Sequence, residues 1–574
     1  MQAQASRSDA RSVLALVKDY WPGQLLATIL IGLSVAAQIL VPLVIRKIMD
    51  EAIPARDMQL LGRYLYWMVG LVAATAVVQY LGEVVYALNG IAAEMDTRRR
   101  IFGVLPRLEF SAIRSLNAGD VVNRCTTDVE ATAATVSELF PALMVNVISG
   151  VALAGTMIVL NYQLALVCFA AIALAFVVLA ALSGKVQRYS VAEREQMGAI
   201  AASISETFTN SRVVKARNAY EWIQKRFDGI QDTYRRIKTR KSYVIKLQAQ
   251  ASNSLSFLAT VAVIAFGSYL VLKGELTVGL LFSFFMYLNM LFGPLHVLIQ
   301  IGTVLSGLRG SIKRVFDVLE WPVEPVGAAT GRGGEVGTRA GDEPGSRNPQ
   351  RIRQVEFRDV HFAYDHEPIL TGVSFRLVPG TLAALVGSIG AGKTTILNLL
   401  LRLVHPQSGQ ILVDGVPIEG LDLSWLRSQI GYVEQDVQVF DGSVRENILL
   451  GWPEQALKRL EEWGFRAVLQ RAFADLPQGM DTVVGQKGVA LSGGQKQILA
   501  MLRALVHDPS VVLMDEPTSS IDPETEGLVH DLLARLKEER IVLVVAHRQS
   551  TVQIADRVLT LQAGRLAETA AQAG

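Results

Sequence analysis

Six stretches within the first 301 residues are each apolar over close to the ~20 residues a helix needs to cross a bilayer. They cover residues 25–44, 64–88, 140–160, 164–182, 255–272 and 276–301. One such run could be a buried core helix, but six before residue 302 read as membrane spans, because a helix satisfies its own backbone polar groups in hydrocarbon. Residues 1–320 are therefore expected to form a membrane α-helical domain. The composition agrees, at 51% hydrophobic and 19% charged. A net charge of +2 makes no case for nucleic acid. The two cysteines, Cys125 and Cys168, form neither a disulfide framework nor a metal-ligand cluster.

The connections between spans alternate in length. Spans three and four are joined by little more than Asn161-Tyr162-Gln163, and spans five and six by Lys273-Gly274-Glu275. The segments between spans two and three and between four and five are long, polar, helix-periodic and rich in Arg and Lys, including Arg98, Arg99, Arg100, Arg235, Arg236 and Lys241. Positive charge favours the cytosolic side, so these segments and both termini are expected there. Arg46, Lys47 and Arg56 on the first outer loop run against the rule more weakly. The opening run MQAQASRSDARSVLALVKDYW has no apolar core ending in a small-residue cleavage site. It reads either as a helix along the membrane surface or as a plain lead-in.

Glu83, Asn146, Asn253, Tyr287, Asn289 and His296 interrupt the apolar stretches. Polar groups at such positions either face a substrate cavity or join helix to helix by hydrogen bonds, and Glu83, near a span end, could also snorkel to the interface. No tract of like charge in the spans marks an anionic or cationic cargo.

Residues 321–350 turn to Gly, Pro, Ala, Arg and Glu, a composition that buries too little apolar surface to order itself, and read as a flexible tether. Residues 351–574 then alternate short β-type runs (355–357, 370–377, 382–386, 511–514, 541–545) with helical ones. That pattern predicts an α/β domain with a mainly parallel sheet covered by helices. Between the run at 382–386 and an apolar helical run lies GSIGAGKTT, a phosphate loop in its required strand-to-helix setting. Its candidate ligands are Gly387, Ser388, Gly390, Ala391, Gly392, Lys393, Thr394 and Thr395: backbone N–H groups and a helix N-terminus for phosphate, Lys393 for the β- and γ-phosphates, Thr394 for Mg²⁺. The apolar run 511–514 ends in Asp515 and Glu516, at the strand edge where ligands bind in parallel sheets. Asp515 is a candidate Mg²⁺ ligand and Glu516 a candidate base for the attacking water.

The run Leu491-Ser492-Gly493-Gly494-Gln495 is the signature of ATP-binding cassette (ABC) proteins, and the chain is identified as resembling that family over nearly its whole length. Tyr364 resembles the aromatic that stacks on adenine, Gln435 the glutamine that touches Mg²⁺, Asp522 in Ser520-Ile521-Asp522 the loop between two nucleotide sites, and His547 the histidine at the γ-phosphate. In the family, Ser492, Gly493, Gly494 and Gln495 bind the ATP held by another subunit, so the resemblance implies a dimer. Six spans followed by one cassette is the arrangement of the exporter half-transporters. GDVVNRCTTDVE (119–130) and NSRVVKARNAYEWIQKRF (210–227) are similar to their coupling regions, and Pro294 matches a proline common in the last span. Two departures stand out: Ile389 where the family usually has Ser or Thr, and Gln486 where exporters typically carry Glu.

The resemblance implies an ATP hydrolase coupled to export of an amphipathic substrate (drug, lipid or peptide-like) across the cytoplasmic membrane, with ATP and Mg²⁺ bound and a second half-transporter as partner, a homodimer being favoured. Half of a heterodimer, a lipid flippase and an importer are the alternatives. No peptidase domain precedes the first span, which disfavours a leader-cleaving peptide exporter.

Overall fold

The structure, a computed structural model, describes residues 19–324, 351–364, 367–485, 488–518, 521 and 523–570. The lead-in before residue 19, most of the tether, Gln486, Ser520 and Asp522 lie outside them. The chain divides into two compact units, residues 1–106 with 116–321 and residues 107–115 with 322–574.

The first unit is built on six long helices: α1 (Trp21–Lys47), α2 (Met58–Val104), α3 (Phe140–Leu160), α4 (Tyr162–Thr209), α5 (Tyr220–Leu272) and α6 (Val278–Leu319). Among the described residues, six helical segments are long and apolar enough to cross a membrane, each carrying one expected span. Four helices far exceed the ~30 Å hydrocarbon core: the 53 residues of α5 rise about 80 Å. Caps fix where helices begin. The Asp57 carboxylate accepts from the N–H groups of Gln59 and Leu60 ahead of α2, and the Asn161 side chain accepts from Leu164 N–H, turning α3 into α4 in one residue. Between α2 and α3, residues 118–139 alternate α and π turns.

The buried core of this unit includes Leu153, Met157, Leu164, Phe284, Tyr287 and Leu288. Several polar residues in the spans bind helices together. Tyr287 donates its hydroxyl to the Ile39 carbonyl at 2.7 Å, and Ser283 donates to the Pro42 carbonyl at 2.8 Å, both from α6 to α1. Asp50 accepts from Thr277 Oγ1 (2.6 Å) and Gly279 N–H (2.8 Å), tying the segment after α1 to the start of α6. Asn289 turns back on its own helix, donating to the Phe285 carbonyl, and Asn253 is exposed. The His296 side chain lies outside the described ones. Nearer the end of α6, Arg314 grips the buried Asp128 carboxylate with two N–H groups at 2.7 and 2.6 Å.

The second unit holds two large sheets and a two-stranded antiparallel one, β7 (Gly442–Ser443) with β8 (Val483–Val484). Six strands run in the order β12-β11-β3-β10-β9-β6, where β3 is Leu382–Gly387, β6 Ile430–Val433, β9 Val511–Asp515, β10 Ile541–Val545, β11 Arg557–Gln562 and β12 Arg565–Ala570. All neighbouring pairs are parallel except β11 with β12. The four-stranded sheet β2-β1-β4-β5 is antiparallel, with β1 Val355–Tyr364, β2 Glu367–Leu377, β4 Ser408–Val413 and β5 Val416–Pro417. The runs at 355–357 and 370–377, expected in the parallel sheet, belong to this second sheet instead. Burial gives the reason: β9 and β10 are buried at all five positions, as strands covered on both faces must be, whereas β1 alternates buried and wet residues. The segment expected as a tether begins held, not free. Val323 bridges to Leu108, and the Glu324 carboxylate takes two N–H groups of Arg427.

Candidate functional site

Strand β3 feeds the loop 388–392 and then helix α7 (Lys393–Leu400). The loop turns through positive φ at Gly390 (79°) and Gly392 (102°), a conformation costly for any residue with a Cβ. A Cβ on Gly387 would lie 2.3 Å from the Leu561 carbonyl oxygen, so β3 and β11 can close at the loop mouth only with glycine there. Ile389 sits on the crest, 94% exposed, so its missing hydroxyl leaves the loop's backbone unaffected. Lys393 is buried, and its ammonium donates to the carbonyls of Gly387 (2.9 Å) and Ser388 (3.0 Å). The side chain thus bridges its own loop. Thr395 is buried beside it and Ala391 nearly so.

Carboxyl ends of the parallel strands bring the acidic pair to the loop. The Thr394 hydroxyl donates to Asp515 Oδ2 at 3.0 Å. Burial pushes the Asp515 carboxyl above its ordinary value and the Glu516 charge adds to the rise, against the Thr394 bond and the Lys393 charge. On β6, burial and the same Asp515 push the Tyr432 phenol up to about 12. Glu516 leaves the strand with φ +51°, an uncommon conformation for a side-chain-bearing residue and one often found at functional sites. Its carboxylate meets His547 Nε2 at 3.1 Å, while its N–H donates to the Val545 carbonyl at the end of β10. Loop, Thr394, Asp515, Glu516 and His547 therefore converge on one sheet edge.

The signature residues make their contacts at the start of another helix. Ser492 caps helix α8 (Gly493–Leu505) in a reciprocal box: its hydroxyl accepts from Gln495 N–H, and Gln495 Oε1 accepts from Ser492 N–H. Gln495 also donates to the Ala472 carbonyl. Gly493 lines a groove of about 590 Å³ together with Gln435, which is exposed. Gly494 is the second residue of α8, and a thirteen-residue helix presents its positive end there.

Tyr364 closes β1 with Phe362 edge-on, ring centroids 4.7 Å apart. The Arg114 guanidinium, from the short helix Phe110–Ser115, lies over the Tyr364 ring at 4.5 Å from its centroid. No local sequence signal joins these two residues, which come together only because residues 107–115 pack within the second unit.

A further cavity, of about 930 Å³, lies in the first unit among α1, α2 and the segment leading into α3. Glu83 and Asn146 line it, as do Glu94, Glu130 and Glu138. Glu94 and Glu138 carry no sequence signal of their own, Glu130 closes the run 119–130 that resembles a coupling region, and only the fold brings the three together.

Two family models match. The ABC transporter transmembrane region covers residues 25–295, and the ABC transporter model covers residues 370–519. Among curated relatives, an ATP-dependent lipid A-core flippase of Syntrophus aciditrophicus is 30% identical over 493 residues, covering 86% of this chain and 80% of the relative. The chain belongs to the ABC transporter family. A fatty acid ABC transporter ATP-binding/permease protein of Mycobacterium bovis is 32% identical over 463 residues, 80% of this chain and 71% of the relative. An ATP-dependent lipid A-core flippase of Thiobacillus denitrificans is 28% identical over 579 residues, the full length of this chain and 97% of the relative. This ABC transporter is a multi-pass membrane protein that binds ATP and couples its hydrolysis to transport. The expected architecture, a six-helix membrane domain plus an α/β ATPase domain, is borne out.

Proposed function

We propose that the chain is an exporter half-transporter that works as a homodimer in the cytoplasmic membrane, with the ATPase half and both termini cytosolic. The observation that carries the reading is the Glu516–His547 contact at 3.1 Å beside an intact phosphate loop. A carboxylate so placed serves as the base for the attacking water, and His547 orients it and meets the γ-phosphate. In this reading Gly387, Ser388, Gly390, Ala391, Gly392, Lys393, Thr394 and Thr395 cradle the phosphates, and Tyr364 carries the adenine. Ser492, Gly493, Gly494, Gln495 and Asp522 serve the ATP held by the second subunit.

Mg²⁺ fits the donor set present: the Thr394 hydroxyl and the Asp515 carboxylate, in hydrogen-bond contact, are hard oxygen ligands, and Gln435 would add an amide oxygen. The cation supplies charge neutralisation on the phosphates. Closure of two cassettes on ATP would tip the membrane halves from inward-open to outward-open. Moving such an equilibrium from 1:99 to 99:1 takes about 5.5 kcal/mol of differential binding.

The test is ATP hydrolysis by the purified full chain in lipid nanodiscs. Wild type should hydrolyse ATP without a second protein, and Glu516→Gln should lose activity by at least about a hundredfold, as removal of a transition-state group does. A folded wild type without hydrolysis would overturn the homodimer and favour a non-identical partner. The relatives named as lipid A-core flippases and a fatty acid transporter support a second reading, lipid translocation. Proteoliposomes separate the two: a fluorescent lipid would change leaflet on addition of ATP, whereas a soluble cargo would accumulate inside inverted vesicles.

A further inference from the structure

The membrane-half cavity combines size, charge of one sign and an apolar wall. At about 930 Å³ it has room for a drug-sized molecule. Glu83, Glu94, Glu130 and Glu138 all line it, and no Lys or Arg does. Only Glu94 is neutralised, by Arg98 at 2.6 Å. Among the described residues, Glu83, Glu130 and Glu138 meet no cation, and Glu83 has only the Gln79 amide, which donates to it at 2.9 Å. All three are exposed to the cavity side of their helices. Ile31, Val35 and Val145 supply apolar wall facing the same space, and Gln38 and Asn146 add amides.

We infer that this cavity is the cargo site and that it selects cationic amphiphiles, with the positive head against Glu83, Glu130 and Glu138 and the apolar body along the α1 and α3 walls. The inference rests on the exporter reading above. Glu83 falls inside an apolar span, where an unpaired carboxylate is costly to keep and marks the path of a substrate in transport proteins, and Glu130 and Glu138 flank the same space from the segment before α3. Three uncompensated negative charges around one space attract a cation from the cytosol and oppose an anion of the same shape. A fatty acid would place its own carboxylate against like charge. A membrane domain of a transporter must hold its cargo somewhere, and a second cavity of this unit, along residues 58–74 of α2, is built from a single helix and offers no enclosing wall.

Two probes of nearly equal shape and opposite charge decide the matter: tetraphenylphosphonium and tetraphenylborate, bound at equilibrium to nucleotide-free full-length protein in nanodiscs. The cation should bind wild type at least about tenfold more tightly than the anion, after subtraction of empty nanodiscs. The triple change Glu83→Gln/Glu130→Gln/Glu138→Gln should abolish that preference, and Glu138→Lys should shift it toward the anion. Equal binding of both probes to wild type, tighter binding of the anion, or no binding of either would overturn the proposal without need of any variant. So would a folded triple variant that keeps the preference. Binding is read without ATP, so a failed exporter reading shows itself separately, as absent hydrolysis.

Discussion

Asp556 shows how one side chain positions the phosphate loop from a distance. Its carboxylate accepts from Leu382 N–H at 2.7 Å, at the first residue of β3, and from the Lys537 ammonium at 2.7 and 2.9 Å. Burial would raise this carboxyl, but the Leu382 and Lys537 bonds outweigh it and hold it below the usual carboxylate range. A depressed native value stabilises the fold at pH above the unfolded group's titration, roughly pH 4, and the gain is lost as pH falls through the native value. Asp556→Asn should therefore lower stability at pH 7 by about 1 kcal/mol, a charged bond discounted for partial exposure, and should flatten the acid limb. Thermal unfolding of the full chain in nanodiscs between pH 3 and 7 checks both. Arg114 makes a different kind of contact. Its guanidinium covers the Tyr364 face proposed for adenine, and an exposed contact of this type contributes ~0.5–1 kcal/mol. If the base must displace it, Arg114→Ala should tighten ATP binding by about two- to fivefold in a fluorescent-nucleotide titration. Weaker binding by the variant would mean that the guanidinium grips the base instead.

At the scale of elements, the ion pair between Arg314 on α6 and Asp128 in the segment before α3 joins two stretches far apart in sequence. Asp128 is 2% exposed while Arg314 is 43% exposed, and Ser311 and Arg124 also favour the carboxylate, so removing Arg314 leaves the buried charge partly compensated. Arg314→Ala should cost about 1.5–3 kcal/mol of stability, and Asp128→Asn combined with Arg314→Gln clearly less, measured as a double-mutant cycle on unfolding. The six spans were legible because lipid demands some twenty apolar residues at a stretch, a signal that needs no tertiary information. The phosphate loop was legible because strand, glycines and helix are contiguous. Legibility failed where the partner was remote. Strands β1 and β2 were assigned to the parallel sheet although the alternating burial of β1 marks a strand wet on one face. Glu138 carried no signal, and Glu130 only that of the run 119–130, because their sharing a cavity with Glu83 depends on the fold. Tyr287 reads from sequence either as a cavity residue or as a helix-to-helix hydrogen bond, and the choice between them needs the Ile39 carbonyl opposite, to which it donates from α6 to α1.

For the whole molecule, the contacts of Ser492 bear on assembly. The Ser492 and Gln495 bonds stay within the α8 cap and at Ala472, while Lys393, Thr394, Asp515 and Glu516 gather at the strand edge. If each ATP is enclosed by the loop of one chain and the signature of another, two defects should complement. Lys393→Ala and Ser492→Arg chains should each be inactive alone, and a doubly tagged mixed pair should regain hydrolysis through its one intact site. Inactivity of the mixed pair would argue that each chain uses its own signature. The length of the helices has a mechanical side as well. A rod such as α5, about 80 Å long and gripped by lipid over little more than a third of that, turns about a fulcrum in the bilayer. With a free arm of roughly 50 Å, a tilt of about 6° at the fulcrum swings the far end by about 5 Å, one helical turn. The gearing runs in reverse as well: a displacement the size of a single turn, applied at the water-exposed tip, reaches the membrane-spanning part of the same helix as a change of only a few degrees. Fine angular control within the span is thus a property of rod length alone, and shortening the arms beyond the membrane would coarsen it.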